Sequence, residues 1–208
     1  MAFRSAAIVL AAGRSSRLAP HNKLLTLMPD QRPLIAHTVS RVLASSVQSI
    51  ITVTGFQADQ VQAALAGLPI DFVYAENFAD GMAASLRAGL QTLAADVDAA
   101  LIILGDMPLV ETPLLNALIA AYNPLASHDI VVPVWQDRIG NPRLWGRRYF
   151  HKLMSLTGDS GAARLLPDYP ERIKKIAAPS DAVLQDFDTQ TALDTLSEGA
   201  PPATYTGI

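Results

Sequence analysis

The sequence predicts an open α/β domain, a mostly parallel sheet in three layers with helices on both faces. Two observations carry that prediction. Apolar runs of four to seven residues alternate four times with helix-period segments at crossover-length spacing, which favours parallel strands joined by right-handed connections. One run, Ala99–Leu104, is almost wholly apolar and reads as a central strand covered on both faces. A closed barrel of eight such units would need about 250 residues and more repeats.

Ala6–Leu10 reads as the first strand. In Leu34–Leu43 the residues Leu34, Ile35, Ala36, Val39, Val42 and Leu43 form a helical stripe. Ser49–Thr54 follows as a strand, Ala58–Leu65 as a helix, Ile70–Tyr74 as a strand and Met82–Leu93 as a helix. After Ala99–Leu104 comes the helix Thr112–Tyr122, with Pro113 in its first turn, and then the strand Ile130–Val134. Beyond it the rhythm changes. Asp137–Pro142 reads as a polar turn, Pro142–Trp145 as a short strand, Arg147–Leu156 and Gly161–Leu166 as helices, Arg172–Ile176 as a strand and Thr189–Leu196 as a last helix. With no repeat or linker, residues 1–197 are expected to form one domain, and the Pro-, Gly- and Thr-rich stretch 198–208 a flexible tail.

Composition narrows the function classes. Half of the 208 residues are apolar, and a chain of this length buries about 70% of its unfolded surface, enough to fold without a disulfide or metal staple. A net charge of −3 provides no basic field for nucleic acid. The absence of cysteine excludes thiolate metal sites and cysteine nucleophiles, and leaves the redox compartment open. The apolar stretch Ala6–Ala12 is too short to span a membrane and meets Gly13 and Arg14 too soon for a signal peptide. A cytoplasmic protein with no membrane partner is the expectation.

Open α/β sheets bind ligands at the carboxyl ends of their strands, which selects Gly13–Arg17, Gly55, Glu76–Gly81 and Gly105–Pro108. The first is the richest. In AAIVLAAGRSSRLAPHNKLL (Ala6–Leu25) an apolar strand ends in a turn at Gly13 and leads to Arg14, Arg17 and Lys23. Three cations after a buried strand suit an anion, although a solvated basic patch is the alternative. Lys23 suits a β- or γ-phosphate as a point charge, and Arg14 or Arg17 suits bidentate contact with phosphate oxygens. The segment lacks the glycines of a P-loop.

Asp106 follows the most apolar strand, where a carboxylate needs a partner or ligand to offset desolvation. One carboxylate facing a phosphate loop is the usual protein share of a Mg²⁺ site. Helix capping is the alternative, although Pro108 and Thr112 start the next helix better. Gly81–Leu86 opens a helix whose first N–H groups suit a ligand, with Ser85 placed for a base or ribose; plain helix-start packing explains it equally. Asp186, Asp188 and Asp194 cluster near the end, and Asp188 is either the last helix's cap or a second metal ligand. Gly140–Pro142 and Gly158–Gly161 are turns that either border an acceptor pocket or lie on the surface. Trp135 and Trp145 are pocket walls or core, and the four histidines show no metal-ligand spacing.

Taken in order, LAAGRSSRL and NKLL (within Leu10–Leu25), GMAASLRAG (Gly81–Gly89), GDMPLV (Gly105–Val110), GNP (Gly140–Pro142), GDSGAARLL (Gly158–Leu166) and DFDTQTAL (Asp186–Leu193) resemble the MobA-like nucleotidyltransferases. The likeness covers residues 6–197 and is greatest for the molybdenum cofactor cytidylyltransferase branch. It implies a Rossmann-like fold of the nucleotide-diphospho-sugar transferase type. It also implies that Leu10, Ala11, Ala12 and Gly13 shape the nucleotide site, with Arg14 to Arg17 over the triphosphate and Lys23 on the phosphates. Arg17, Lys23 and Asp106 would be catalytic, Asp106 and Asp188 would hold Mg²⁺, Gly81, Met82 and Ser85 would meet the nucleobase, and Gly140–Pro142 would lie toward a pterin.

The implied reaction moves CMP from CTP to the terminal phosphate of molybdopterin and releases pyrophosphate, for maturation of molybdenum hydroxylases. Transient contact with such a hydroxylase or its chaperone would follow. The attacking phosphate is already anionic, so positioning and charge neutralisation suffice without a general base. This chain has Asn141 where many of the branch have His, and Leu18-Ala19 where many have Met-Gly. Three alternatives stay open: a GTP-dependent guanylyltransferase acting on molybdopterin or a phospho-acid, a sugar-phosphate nucleotidyltransferase, which usually needs a longer chain, and a non-catalytic cofactor-binding or delivery protein.

Overall fold

The computed structural model describes residues 3–15, 20–185 and 187. Their centre is β1 (Ser5–Ala11), buried along almost its whole length. It pairs in parallel with β2 (Ser49–Thr54) on one side and with β4 (Ala99–Leu104) on the other. β3 (Asp71–Tyr74) lies outside β2, also parallel. The chain therefore runs outward from β1 to β3 and then returns to the far side of β1. This reversal of strand order opens a crevice at the carboxyl ends of β1 and β4, where such sheets bind ligands.

Helices cover both faces, as predicted. On one side α1 (Leu34–Leu43), α2 (Ala58–Ala64) and α4 (Thr112–Ala120) pack against Val9, Ala11, Leu101 and Ile103. Leu34, Ile35, Val39 and Val42 of α1 are fully buried, and each contributes roughly 1.5–3 kcal/mol by leaving water. On the other side α3 (Met82–Thr92) and α5 (Phe150–Met154) cover Ile8, Val53 and Ile102. Gly89 sits inside α3 because the helix lies close on the sheet: a Cβ there would stand 2.6 Å from Ile8 Cγ2 and 2.9 Å from Val53 Cγ2.

Beyond β4 the sheet departs from uniform parallel pairing. β5 (Ile130–Trp135) turns through Gln136 and Asp137, both at positive φ, into β6 (Arg138–Ile139), a tight hairpin of the kind two left-handed residues favour. The stretch Asp137–Pro142, predicted as a polar turn, thus contains a strand. The chain continues through a cis Asn141–Pro142 peptide into β7 (Arg143–Gly146), which inserts antiparallel between β4 and β5. β8 (Ile173–Ala177) pairs in parallel with β5. Of the predicted helix Arg147–Leu156, the first turn is a 3-10 turn (Arg147–Tyr149). The one predicted at Gly161–Leu166 is a 3-10 segment, Ala162–Asp168, containing Pro167, as expected where proline interrupts the α-helical ladder. The predicted helix Thr189–Leu196 and the tail 198–208 lie outside the described residues.

At the amino end of β5, away from the crevice, Asp129 is fully buried. Its Oδ2 accepts hydrogen bonds from Arg148 at 3.1 Å, the Tyr149 hydroxyl at 3.3 Å and Arg172 at 3.4 Å. Burial, reinforced by the Asp129 carboxylate, pushes the Tyr149 hydroxyl up to about 12. An unfolded tyrosine loses its proton near pH 10, so between about pH 10 and 12 the unfolded chain binds fewer protons and stability falls as pH rises. Tyr149→Phe should flatten that part of a urea-unfolding profile measured against pH.

Candidate active site

β1 leads straight into the site. Strand alternation buries the Ala11 side chain in the core beneath the sheet, whereas Leu10, Ala12, Gly13 and Arg14 line a cavity of about 650 Å³. Ala11 therefore supports the Leu10–Gly13 segment from beneath, its side chain in the core and not among those that line the cavity. Among the described residues a Cβ at Gly13 would meet nothing within 4 Å, so their packing does not demand glycine; its bare, exposed backbone opens on the cavity instead. Ser15 follows at φ 48°, and its Oγ accepts the Lys23 backbone N–H at 3.2 Å. Arg17 lies outside the described residues.

Lys23 occupies a 3-10 turn (Lys23–Leu25) capped by Asn22. Asn22 is 4% exposed; its Oδ1 accepts the Leu24 N–H at 3.1 Å and its Nδ2 donates to the Phe56 carbonyl at 3.2 Å. One amide thus ties the lysine turn to the loop after β2. Asn22→Ala should cost about 1–2 kcal/mol, by losing a cap and leaving two backbone groups unmatched, as read by urea unfolding.

Opposite, β4 ends at Leu104, and the Gly105 N–H donates to the Leu10 carbonyl at 2.9 Å. A Cβ at Gly105 would stand 2.8 Å from Ile35 Cδ1 of α1 and 3.1 Å from the Leu10 carbonyl oxygen, so glycine lets the end of β4 lie between α1 and β1. That delivers Asp106, 7% exposed, to the cavity floor, where its Oδ2 lies 2.5 Å from Lys23 Nζ. The two groups that the sequence assigned separately to a metal and to phosphates here pair with each other.

The far wall comes from α3. Gly81, Met82 and Ser85 line the cavity. Gly81 adopts φ 109°, ψ −178°, and a Cβ on it would stand 2.4 Å from the Gly158 carbonyl carbon. The Ala83 N–H donates to the Gly158 carbonyl at 3.0 Å, so the protein itself takes one of the α3 donors expected for a ligand. Arg87 donates to the carbonyls of Met154 and Leu156, both at 3.1 Å, holding the end of α5 and bringing the Gly158–Gly161 turn over α3. Asp159 of that turn lines the cavity.

Gly140–Pro142 does not line this cavity. Its backbone packs on the 3-10 turn Asp181–Val183 instead, with the Asn141 N–H donating to the Val183 carbonyl at 2.8 Å. Trp145 is fully buried core and Trp135 is half-buried. Asp186, Asp188 and Asp194 lie outside the described residues. Among the described residues no three His, Cys, Asp or Glu side chains converge on a metal position, and no helix is long and apolar enough to cross a membrane.

Sequence reasoning missed Phe56, and did not single out Ser15, Asn22, Phe78 and Asp159 within the segments it selected. Phe56 and Phe78 both follow strand ends, so the carboxyl-end rule reaches them. A finer signal was the small pair Gly55 and Ala12: a Cβ on Gly55 would stand 2.7 Å from Phe78 and 2.8 Å from Ala12, so the two make room for the ring.

Comparison with known proteins agrees with this architecture. The sequence profile described as the MobA-like NTP transferase domain matches residues 7–173. The crystal structure of Rv0371c from Mycobacterium tuberculosis H37Rv superposes with a TM-score of 0.84 at 30% identity, covering 95% of this chain and 99% of that one. A structure of Rv0371c in complex with manganese gives 0.81 at 28% identity, covering 95% and 100%. The bifunctional protein GlmU of Francisella tularensis subsp. novicida is 33% identical over 151 residues, which is 72% of this chain and 31% of that protein. The chain spans about a third of the length of the curated relatives it matches.

Proposed function

The chain belongs to the MobA-like NTP transferase family, and from that premise we propose that it transfers CMP from CTP to the terminal phosphate of molybdenum-molybdopterin and releases pyrophosphate. The observation that carries the transfer reading is the convergence of Arg14 and Lys23, from the loop after β1, with Asp106 from the end of β4 in one cavity. A cavity of about 650 Å³ falls within the range that holds a small-molecule ligand. Gly13 leaves its backbone open to the phosphates, Lys23 and Arg14 neutralise their charge, and Arg17 is proposed beside them. Leu10, Phe78 and Met82 offer apolar surface to the base, with Ser85 as a polar group on the same wall.

Asp106 suits a divalent cation: it is a hard oxygen donor at a strand end, and one carboxylate with substrate phosphates is a common protein share of a Mg²⁺ site. When bound, Mg²⁺ supplies charge neutralisation at the phosphates. Asp188 is proposed as a second ligand. The remaining chemistry is alignment of a phosphate nucleophile that already carries its charge, so the site needs no general base. The branch resemblance supports the choice of cytosine and of molybdopterin. It further supports delivery of the product to a molybdenum hydroxylase or its chaperone, from a single domain spanning 1–197.

Purified protein, Mg²⁺ and CTP or GTP labelled at the α-phosphate, incubated with molybdopterin, should release pyrophosphate and label the acceptor with CTP. Dominant labelling from GTP overturns the cytidylyl assignment. Labelling of phospho-acids or sugar phosphates in preference to molybdopterin overturns the acceptor, and no pyrophosphate release with any nucleotide and acceptor overturns the transferase reading.

A further inference from the structure

We propose that Lys23 is the resident counterion of Asp106 and so sets the order of binding: a divalent cation is held at Asp106 only together with a nucleoside triphosphate, whose phosphates take over the lysine. The inference rests on the nucleotidyltransferase reading and deepens it.

Lys23 Nζ stands 2.5 Å from Asp106 Oδ2, and the two side chains are 16% and 10% exposed. A pair so shielded is screened much less than a surface ion pair, and its charges sum to zero. A cation arriving alone meets an already neutralised carboxylate with an ammonium in contact with it, and Arg14 lines the same cavity. At Asp106 binding then requires either displacing Lys23 or placing two cations against that carboxylate, and both oppose it.

A triphosphate reverses that balance. It brings several negative charges to the lysine and further oxygen ligands to the cation, so each partner of the ion pair exchanges for a better one. The exchange needs a lysine whose root is fixed while its tip moves. The Ser15 Oγ bond to the Lys23 N–H and the Asn22 cap on the same turn fix that root. The tether from Asn22 to the Phe56 carbonyl holds the turn against the loop after β2. Movement is thereby confined to the lysine's methylenes and ammonium, which pass between Asp106 and the phosphates without any shift of backbone.

Mn²⁺ binding, followed by electron paramagnetic resonance of the free ion on the full chain, tests this without nucleotide or acceptor. Wild type should bind Mn²⁺ alone weakly, and Lys23→Met should bind it at least about tenfold more tightly, since an adjacent ammonium is removed. Lys23→Arg, which keeps the charge, should stay as weak as wild type, and Lys23→Met combined with Asp106→Asn should lose the gain. Adding a non-hydrolysable CTP analogue should tighten Mn²⁺ on wild type. Circular dichroism checks that each variant is folded. Tight binding of Mn²⁺ alone by wild type overturns the proposal, as does no gain in folded Lys23→Met or a gain that survives loss of Asp106. Because the metal-only comparison involves no transfer, its failure is separate from failure of the labelling experiment above.

Discussion

Asp106→Asn should lower nucleotidyl transfer by on the order of 10³-fold, the scale seen when one preorganised electrostatic group is removed from a polar transition state. The carboxylate lies on the cavity floor beside Lys23. Asparagine keeps the shape there but neither neutralises Lys23 nor offers an anionic oxygen to a divalent cation. The fold should survive, since the side chain faces the cavity and the main-chain bond from Gly105 to Leu10 that positions it is untouched. Pyrophosphate release under saturating nucleotide, read with far-UV circular dichroism, checks both halves. A folded Asp106→Asn protein turning over at the wild-type rate would remove Asp106 from the chemistry.

Gly81→Ala should have the largest effect on stability among conservative changes at the site. Gly81 holds φ 109°, ψ −178°, a region essentially reserved for glycine. An added Cβ would stand 2.4 Å from the Gly158 carbonyl carbon and 2.6 Å from Asp159 Oδ1. The first neighbour is backbone, held by the Gly158 carbonyl bond to the Ala83 N–H, so it cannot give way cheaply. Strain and overpacking together should cost about 2–4 kcal/mol. The α3 wall and the Gly158–Gly161 turn should separate, raising KM for the nucleotide. Gly13→Ala is the control: with none of the described residues within 4 Å of the new methyl group, its unfolding free energy should stay within about 0.5 kcal/mol of wild type. Urea unfolding of the two variants makes the comparison, and equal losses would refute the role given to the Gly158 contact.

Legibility followed the range of the physics. The apolar run of β4 and the stripe of α1 were readable because burial imposes a period on neighbouring residues. The run Ile130–Val134 was equally clear as a strand, and Pro142–Trp145 and Arg172–Ile176 were readable as strands too, yet how they pair was not. A short apolar run carries no direction, so nothing in Pro142–Trp145 announced that β7 would insert antiparallel between β4 and β5. Gly140–Pro142 read equally as a pocket border or a surface turn because polar turns resemble one another; its packing on Val183 is a long-range contact that no local pattern announces. The individual roles of Ser15 and Asn22 were not legible because a serine in a loop and an asparagine before a lysine are common, and their hydrogen bonds exist only once the loop has closed.

The cations after Gly13 and the carboxylate after Leu104 were identifiable from the chain alone, since both stand where an apolar strand ends and a polar group needs a reason to be there. Their meeting was not. Lys23 and Asp106 approach to 2.5 Å because β1 and β4 are parallel neighbours in one sheet and Gly105 lets the second strand's exit lie against the first. Hydrophobic periodicity is a local property and marks where strands are. Pairing is a long-range choice made by the packed sheet, and it turned two separate charges into one ion pair on the cavity floor.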